Sequence, residues 1–295
     1  MSKKPESVSL VLGSGGARGH AHIGVIRAIE ERKLSIRSIA GTSMGAVIGG
    51  IYAAQELDTY IKWVMQLRKS DVVKLLDFSF TWTSIFKGER IIEVLKQLIG
   101  DRQIEELPIA FTAVATAIEE QREVWLNKGS LFTAIKASTA VPGAFSPVTI
   151  NGRILVDGGL VNPIPIAPTM NDATDVTIAV NLSGITDHFG PAEEATPEKP
   201  KKEDQSYRAA IGRFVSNLLE SDDEPDEPPG AVDLLTQSID VMQGSIARLK
   251  LAAYAPDIVV DVPRDACSFF EFHRAEEMAD IGYRNTVKAL DKARL

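Results

Sequence analysis

The chain alternates between two hydrophobic periods. Val8-Ser9-Leu10-Val11-Leu12 is a short, nearly unbroken apolar run, the pattern of a strand buried on both faces. From 21–32 apolar positions recur every three to four residues, which predicts a helix. The run Ser38-Ile39-Ala40 returns to the strand pattern, and a stretch of small and apolar residues over 44–55 predicts a second helix. An amphipathic helix follows over 58–67, with Trp63 assigned to the core. Further strands are predicted at 108–116, 122–127, 153–156, 177–181 and 258–262. A helix at 133–138 is stopped by Pro142-Gly143, and 271–294 reads as a terminal packing helix carrying Phe272, Ala275, Met278, Ala279, Tyr283 and Leu290 near helical period. Strands alternating with helices over 295 residues suit one large α/β domain with decorations.

Two segments break the pattern. Residues 75–88 hold three phenylalanines and Trp82 within nine positions, flanked by Lys74, Lys87 and Arg90. Their partial alternation leaves two readings open: burial, or a loop bordering an apolar pocket, where the same residues would suit a membrane interface. Residues 184–230 are acidic and proline-rich. Between Pro191 and Gly230 lie 11 acidic and 5 basic residues, a net of −6 within a chain total of −8. Polar flanks of this composition bury too little surface to fold alone. Between them Tyr207, Ala210, Ile211, Phe214, Val215, Leu218 and Leu219 share one helical face, which predicts an amphipathic helix over about 206–220 serving as a lid or interface element.

Three stretches carry chemistry. Gly41-Thr42-Ser43-Met44-Gly45 sits where a strand would turn sharply into a helix, the setting of a nucleophile elbow. Gly13-Ser14-Gly15-Gly16-Ala17-Arg18-Gly19 joins the first strand to the first helix, where N–H groups gather around an anion. A dinucleotide site there would need a third glycine where Arg18 stands and a carboxylate ending the next strand, which instead ends Ile39-Ala40-Gly41. An oxyanion loop serving Ser43 fits better. The third stretch is Asp157-Gly158-Gly159, an aspartate closing an apolar strand, followed by Val161-Asn162-Pro163-Ile164-Pro165. Asp157 is a candidate base for Ser43. None of the four histidines, His20, His22, His188 and His273, is placed as a convincing alternative.

Taken in this order, with the stretch 137–147 and the late Phe272-His273-Arg274-Ala275-Glu276-Glu277, these features resemble the patatin-like phospholipase family, here in its small cytoplasmic bacterial form. The resemblance covers about 7–183 and resumes over 231–295 as one catalytic domain, with 184–230 as an insertion. It implies a three-layer α/β/α fold with a central, mostly parallel sheet. It implies a Ser43–Asp157 dyad working through an acyl-enzyme, with N–H groups of Gly15, Gly16, Ala17 and Met44 as the oxyanion hole. Arg18, Gly19, Gly41, Gly45, Gly158 and Gly159 support the motifs, Arg18 as a clamp on loop carbonyls. Ser14 departs from the further glycine that many members carry. The implied activity is serine lipid acyl hydrolysis on a lipid or acyl ester substrate. An acyltransferase using the same acyl-serine, or an interaction protein on a hydrolase scaffold, stays open beside it.

Composition narrows the partners. Net acidity and the lack of a basic stripe argue against nucleic acid. The single Cys267 excludes an intrachain disulfide and is read as packing. Neither metal-ligand spacing nor a cofactor motif is present, and no run of 18 apolar residues occurs. The expected location is the cytoplasm, with transient membrane-surface contact and homo-oligomerisation left open.

Overall fold

A computed structural model describes residues 6–76, 78–81, 84–86, 89–184 and 231–295. The acidic insertion and its expected helix over 206–220 lie outside the described residues, as does Trp82. The central sheet has eight strands. β1 (Ser7–Leu12), β2 (Ser35–Thr42), β5 (Ala110–Ala117), β10 (Val176–Gly184) and β11 (Ile258–Pro263) run parallel in the order β11-β10-β1-β2-β5. β6 (Arg122–Leu126), β8 (Val148–Ile150) and β9 (Arg153–Asp157) complete it by antiparallel pairing. β3 (Phe78–Thr81), β4 (Ser84–Phe86) and β7 (Gly143–Phe145) form a small second sheet.

The alternation along β1 builds the layers. Val8, Leu10 and Leu12 face one core, shared with α1 (Ala21–Glu31), α2 (Met44–Ala53), α3 (Leu57–Val64), α5 (Glu89–Ile99), α6 (Leu131–Ser138) and α8 (Ala275–Ala293). Val11 faces the opposite side, where Ile164, Ile166 and Ala247 of α7 (Ala231–Tyr254) pack. Helices thus cover both faces of a mostly parallel sheet, the three-layer arrangement expected.

The structure adds elements to those the periodicity predicts. α4 (Lys69–Leu76), α5 and α7 are helices beyond those predicted, and the aromatic stretch forms β3 and β4 rather than a loop. Trp63, expected in the core, is half-buried and lines a cavity. The site's placement follows from the register on β5. β6 occupies Ala113–Ala117 along one edge, so β2, paired over 110–114, and β9, paired over 115–117, share the other. Thr42 lies opposite Val114 and Asp157 opposite Ala115, so β2 and β9 meet end to end. Ser43 and Asp157, 114 positions apart in sequence, arrive side by side at the carboxyl ends of the parallel strands.

Candidate active site

Ser43 joins β2 to α2 at φ 55, ψ −124, a conformation that costs a residue with a side chain about 1–3 kcal/mol. The surroundings hold it there. Its N–H donates to Ser138 Oγ at 3.0 Å, and the Ser138 hydroxyl donates to Val114 O at 2.6 Å. The flanking glycines are sterically required: a Cβ on Gly45 would lie 2.1 Å from Leu12 O, and one on Gly41 would lie 2.4 Å from Gly45 O. Gly19 packs on the Met44 side chain, and Gly158 on Val114 O.

Asp157 is fixed as firmly. Its N–H donates to Ala140 O at 2.9 Å, and its carbonyl accepts from the Thr116 hydroxyl at 2.9 Å. Oδ1 accepts from the Gly159 N–H at 2.6 Å, while Oδ2 has no hydrogen-bond partner among the described residues. Burial pushes the carboxyl pKa up to about 6, opposed in part by the neighbouring Ser43 hydroxyl and the Gly159 N–H. The group therefore ionises near neutrality while keeping one oxygen free of competing donors.

The glycine loop is pinned from several sides. Gly13 N–H donates to Val180 O at 3.2 Å and Ser14 N–H to Pro163 O at 2.8 Å. Arg18, 3% exposed, donates through Nε to Gly15 O at 3.2 Å and through Nη1 to Arg264 O at 2.6 Å, and pairs with Asp240. One expected donor is spent: the Ala17 N–H donates to Phe269 O at 2.9 Å, which ties the loop to the segment before α8. Among the described residues nothing accepts from the N–H groups of Gly15, Gly16 or Met44.

The histidines do other work. His20 Nε2 meets the Tyr60 hydroxyl at 3.0 Å and His22 Nε2 meets Gly13 O at 2.9 Å. Burial pushes both pKa values down to about 4, so both rings are neutral at pH 7. His273 stands in the turn leading into α8, and His188 lies outside the described residues. Cys267 is buried beside Ala17 and Met278, its thiol pushed up to about 12. Among the described residues no group of His, Cys, Asp and Glu is arranged to hold a metal ion, and no helix is long and apolar enough to cross a membrane.

Ser43 and Met44 open into a cavity. Its walls are apolar: Val64, Val72, Leu95, Val141, Phe145 and Phe272 come from α3, α4, α5, the segment around β7 and the turn before α8. A buried serine beside an ionisable carboxyl, with unpaired amides at hand and an apolar cavity leading away, matches the needs of acyl-ester chemistry. The family pattern described as Patatin-like phospholipase matches residues 10–170, which span the glycine loop, the elbow and the Asp157 turn. The chain belongs to the patatin-like phospholipase family. It is a lipid ester hydrolase.

An uncharacterized NTE family protein of Mycobacterium tuberculosis is 37% identical, over 96% of this chain and 91% of the relative. A protein named Lysophospholipase NTE1 of Pyricularia oryzae is 28% identical over 98% of this chain, which spans only 19% of that relative's length. In fold, the family member resembles VipD from Legionella pneumophila, with a TM-score of 0.58 at 15% identity over 98% of this chain and 67% of that one.

Thr116, Asp240 and Gln243 have no motif to mark them, and Ser138 lies in the stretch 137–147 without a role assigned to it there. Their contacts cross 24 to 229 residues of sequence, and a serine or glutamine within a helix looks like any other polar helical residue.

Proposed function

We propose that this patatin-like protein cleaves acyl esters of phospholipids or lysophospholipids through a Ser43–Asp157 dyad and a covalent acyl-enzyme. One observation carries the reading: Ser43 stands at a strained elbow beside a buried carboxyl whose Oδ2 has no other partner. Ser43 Oγ attacks the ester carbonyl carbon while its proton passes to Asp157. The N–H groups of Gly15, Gly16 and Met44 stabilise the oxyanion, each worth about 10²–10³ in rate where such donors have been removed in other enzymes. Collapse of the tetrahedral intermediate expels the alcohol half of the lipid, which takes the proton from Asp157. Water then attacks the acyl-serine, gives its proton to Asp157, and the fatty acid leaves as Ser43 regains that proton.

The apolar cavity supports an acyl chain as the group held during these steps, and the lysophospholipase named among the relatives supports the substrate class. Contact with a lipid surface fits the outward side of α7. Leu234, Val241, Met242 and Leu249 are each more than half exposed and fall within an arc of about 100°. Asp240 of the same helix turns inward to Arg18. A one-sided apolar stripe on a helix bordering the site suits transient lipid contact.

Ser43→Ala tests the nucleophile. Ester hydrolysis and fluorophosphonate labelling are expected to disappear, with the thermal transition nearly unchanged, because the change removes one buried hydroxyl and leaves the backbone conformation as it is. Labelling retained on another serine would overturn the assignment.

A further inference from the structure

Helix α7 touches the glycine loop twice. Asp240 and Gln243 are three positions apart and therefore lie on one side of the helix. Asp240 pairs with Arg18, whose Nε–H simultaneously holds Gly15 O. Gln243, only 4% exposed, accepts from the Ser14 hydroxyl through Oε1 at 3.1 Å. Three polar atoms then converge on Gly159. A Cβ there would lie 2.5 Å from Gln243 Nε2, 2.8 Å from Ser14 Oγ and 2.9 Å from Asp157 Oδ1. Gly159 is itself the donor to Asp157 Oδ1. One buried side chain thus hydrogen-bonds the loop that presents the oxyanion amides and packs against the turn that presents the carboxyl.

Burying an amide is costly unless its hydrogen bonds are made, and a leucine or methionine would fill this space without that cost. What the amide adds is direction. We infer that Gln243 is a positioning residue of the ester-hydrolysing reaction, its bond to Ser14 setting the glycine loop against the Asp157–Gly159 turn while Asp240 holds the loop through Arg18. The inference rests on the Ser43–Asp157 reading above. Oxyanion donors act only within a few tenths of an ångström of the developing charge, so a slipped loop loses rate rather than binding. Neither Ser14 nor Gln243 lines the acyl cavity, which separates the two effects.

The test is steady-state hydrolysis of p-nitrophenyl butyrate by the full chain across pH 5–9. Gln243→Leu, Ser14→Ala, the double variant and Gln243→Glu are compared with the parent. Each of the first two is expected to lower kcat about 10-fold at nearly unchanged KM. The double variant should be no slower than the slower single one, because both remove the same hydrogen bond. Gln243→Glu keeps an acceptor for Ser14 and adds a negative charge beside Asp157. It should recover much of kcat at high pH and move the acid limb of the profile upward. A residue that merely packs would lower the melting temperature without this coupling or this shift.

Full kcat in folded Gln243→Leu, or losses that multiply in the double variant, would overturn the inference. Should Gln243→Leu fail to fold, Ser14→Ala carries the rate test, full kcat overturning the inference, and Gln243→Glu carries the pH test, an unmoved acid limb overturning it. Fluorophosphonate labelling of the parent separates the two levels. Without label on Ser43 the dyad reading falls and takes the inference with it; with Ser43 labelled and kcat untouched by the variants, only the role of Gln243 falls.

Discussion

The floor of the site and the walls of its cavity are built by opposite means. The floor comprises the turns after β1, β2 and β9, and its parts are held by hydrogen bonds from backbone N–H groups: Ser43 N–H to Ser138 Oγ, Ser14 N–H to Pro163 O, Asp157 N–H to Ala140 O, Gly159 N–H to Asp157 Oδ1. The walls, from α3, α4, α5 and the segment around β7, present apolar side chains. A hydrogen-bonded turn has one working geometry and tolerates no displacement, whereas dispersion contacts and area burial are non-directional and tolerate changes of shape. The contrast teaches that floor substitutions should act on rate for every ester, and wall substitutions on the choice among esters.

The largest effect is expected at the floor. Asp157→Asn keeps the shape and the Gly159 contact but removes the proton acceptor, so kcat/KM should fall by about 10²–10⁴ for short and long esters alike. The same change should stabilise the fold. Asp157 titrates near 3.8 when unfolded and near 6 when folded, so the native state holds the extra proton between these values. Its contribution to stability therefore falls as pH rises through that window, and the full cost, at most about 3 kcal/mol, is present at pH 7. Asparagine does not ionise, and a higher melting temperature at pH 7, with the gain vanishing below pH 4, is the expected calorimetric result. An unchanged rate, or lower stability at pH 7, would break the picture of a strained floor. In the parent, kcat/KM should fall below about pH 6 as Asp157 takes up its proton.

A smaller and more selective effect is expected at the wall. Val64 is 2% exposed and lines the cavity, so Val64→Phe narrows it. Hydrolysis of a long-chain ester should drop about 10-fold while a butyrate ester changes less than about two-fold. Equal losses on both would mean that floor and wall are mechanically one unit.

The smallest effect belongs to the outer face of α7. Met242→Glu combined with Leu249→Glu should reduce hydrolysis of phospholipid vesicles about three-fold and leave a soluble ester unchanged. Vesicle sedimentation reads the same contact directly, and binding equal to that of the parent would remove the stripe from the account.

Much of the floor was legible in the sequence because its demands are local. An elbow needs glycine on both sides of Ser43, an anion loop needs glycines between strand and helix, and a turn after β9 needs Gly158-Gly159, so these requirements appear as contiguous motifs. The spent amide of Ala17 was not legible, since its acceptor is Phe269, 252 positions away. Nor were the walls, because any helix with an apolar side offers the same pattern whether it faces a core or a cavity; Trp63 shows this directly.

By itself the sequence determined the strand–turn–helix grammar of an α/β enzyme, the family, and the pair Ser43 and Asp157 as candidates, because periodicity and turn chemistry are set by near neighbours. Only the tertiary structure decided that β2 and β9 share one edge of β5, that Ser138 and Gln243 join the site, and that the cavity opens beside Ser43. Those facts depend on register and packing between segments far apart in the chain, and a hydrogen bond or an apolar contact across such a distance leaves no local trace in either partner's sequence.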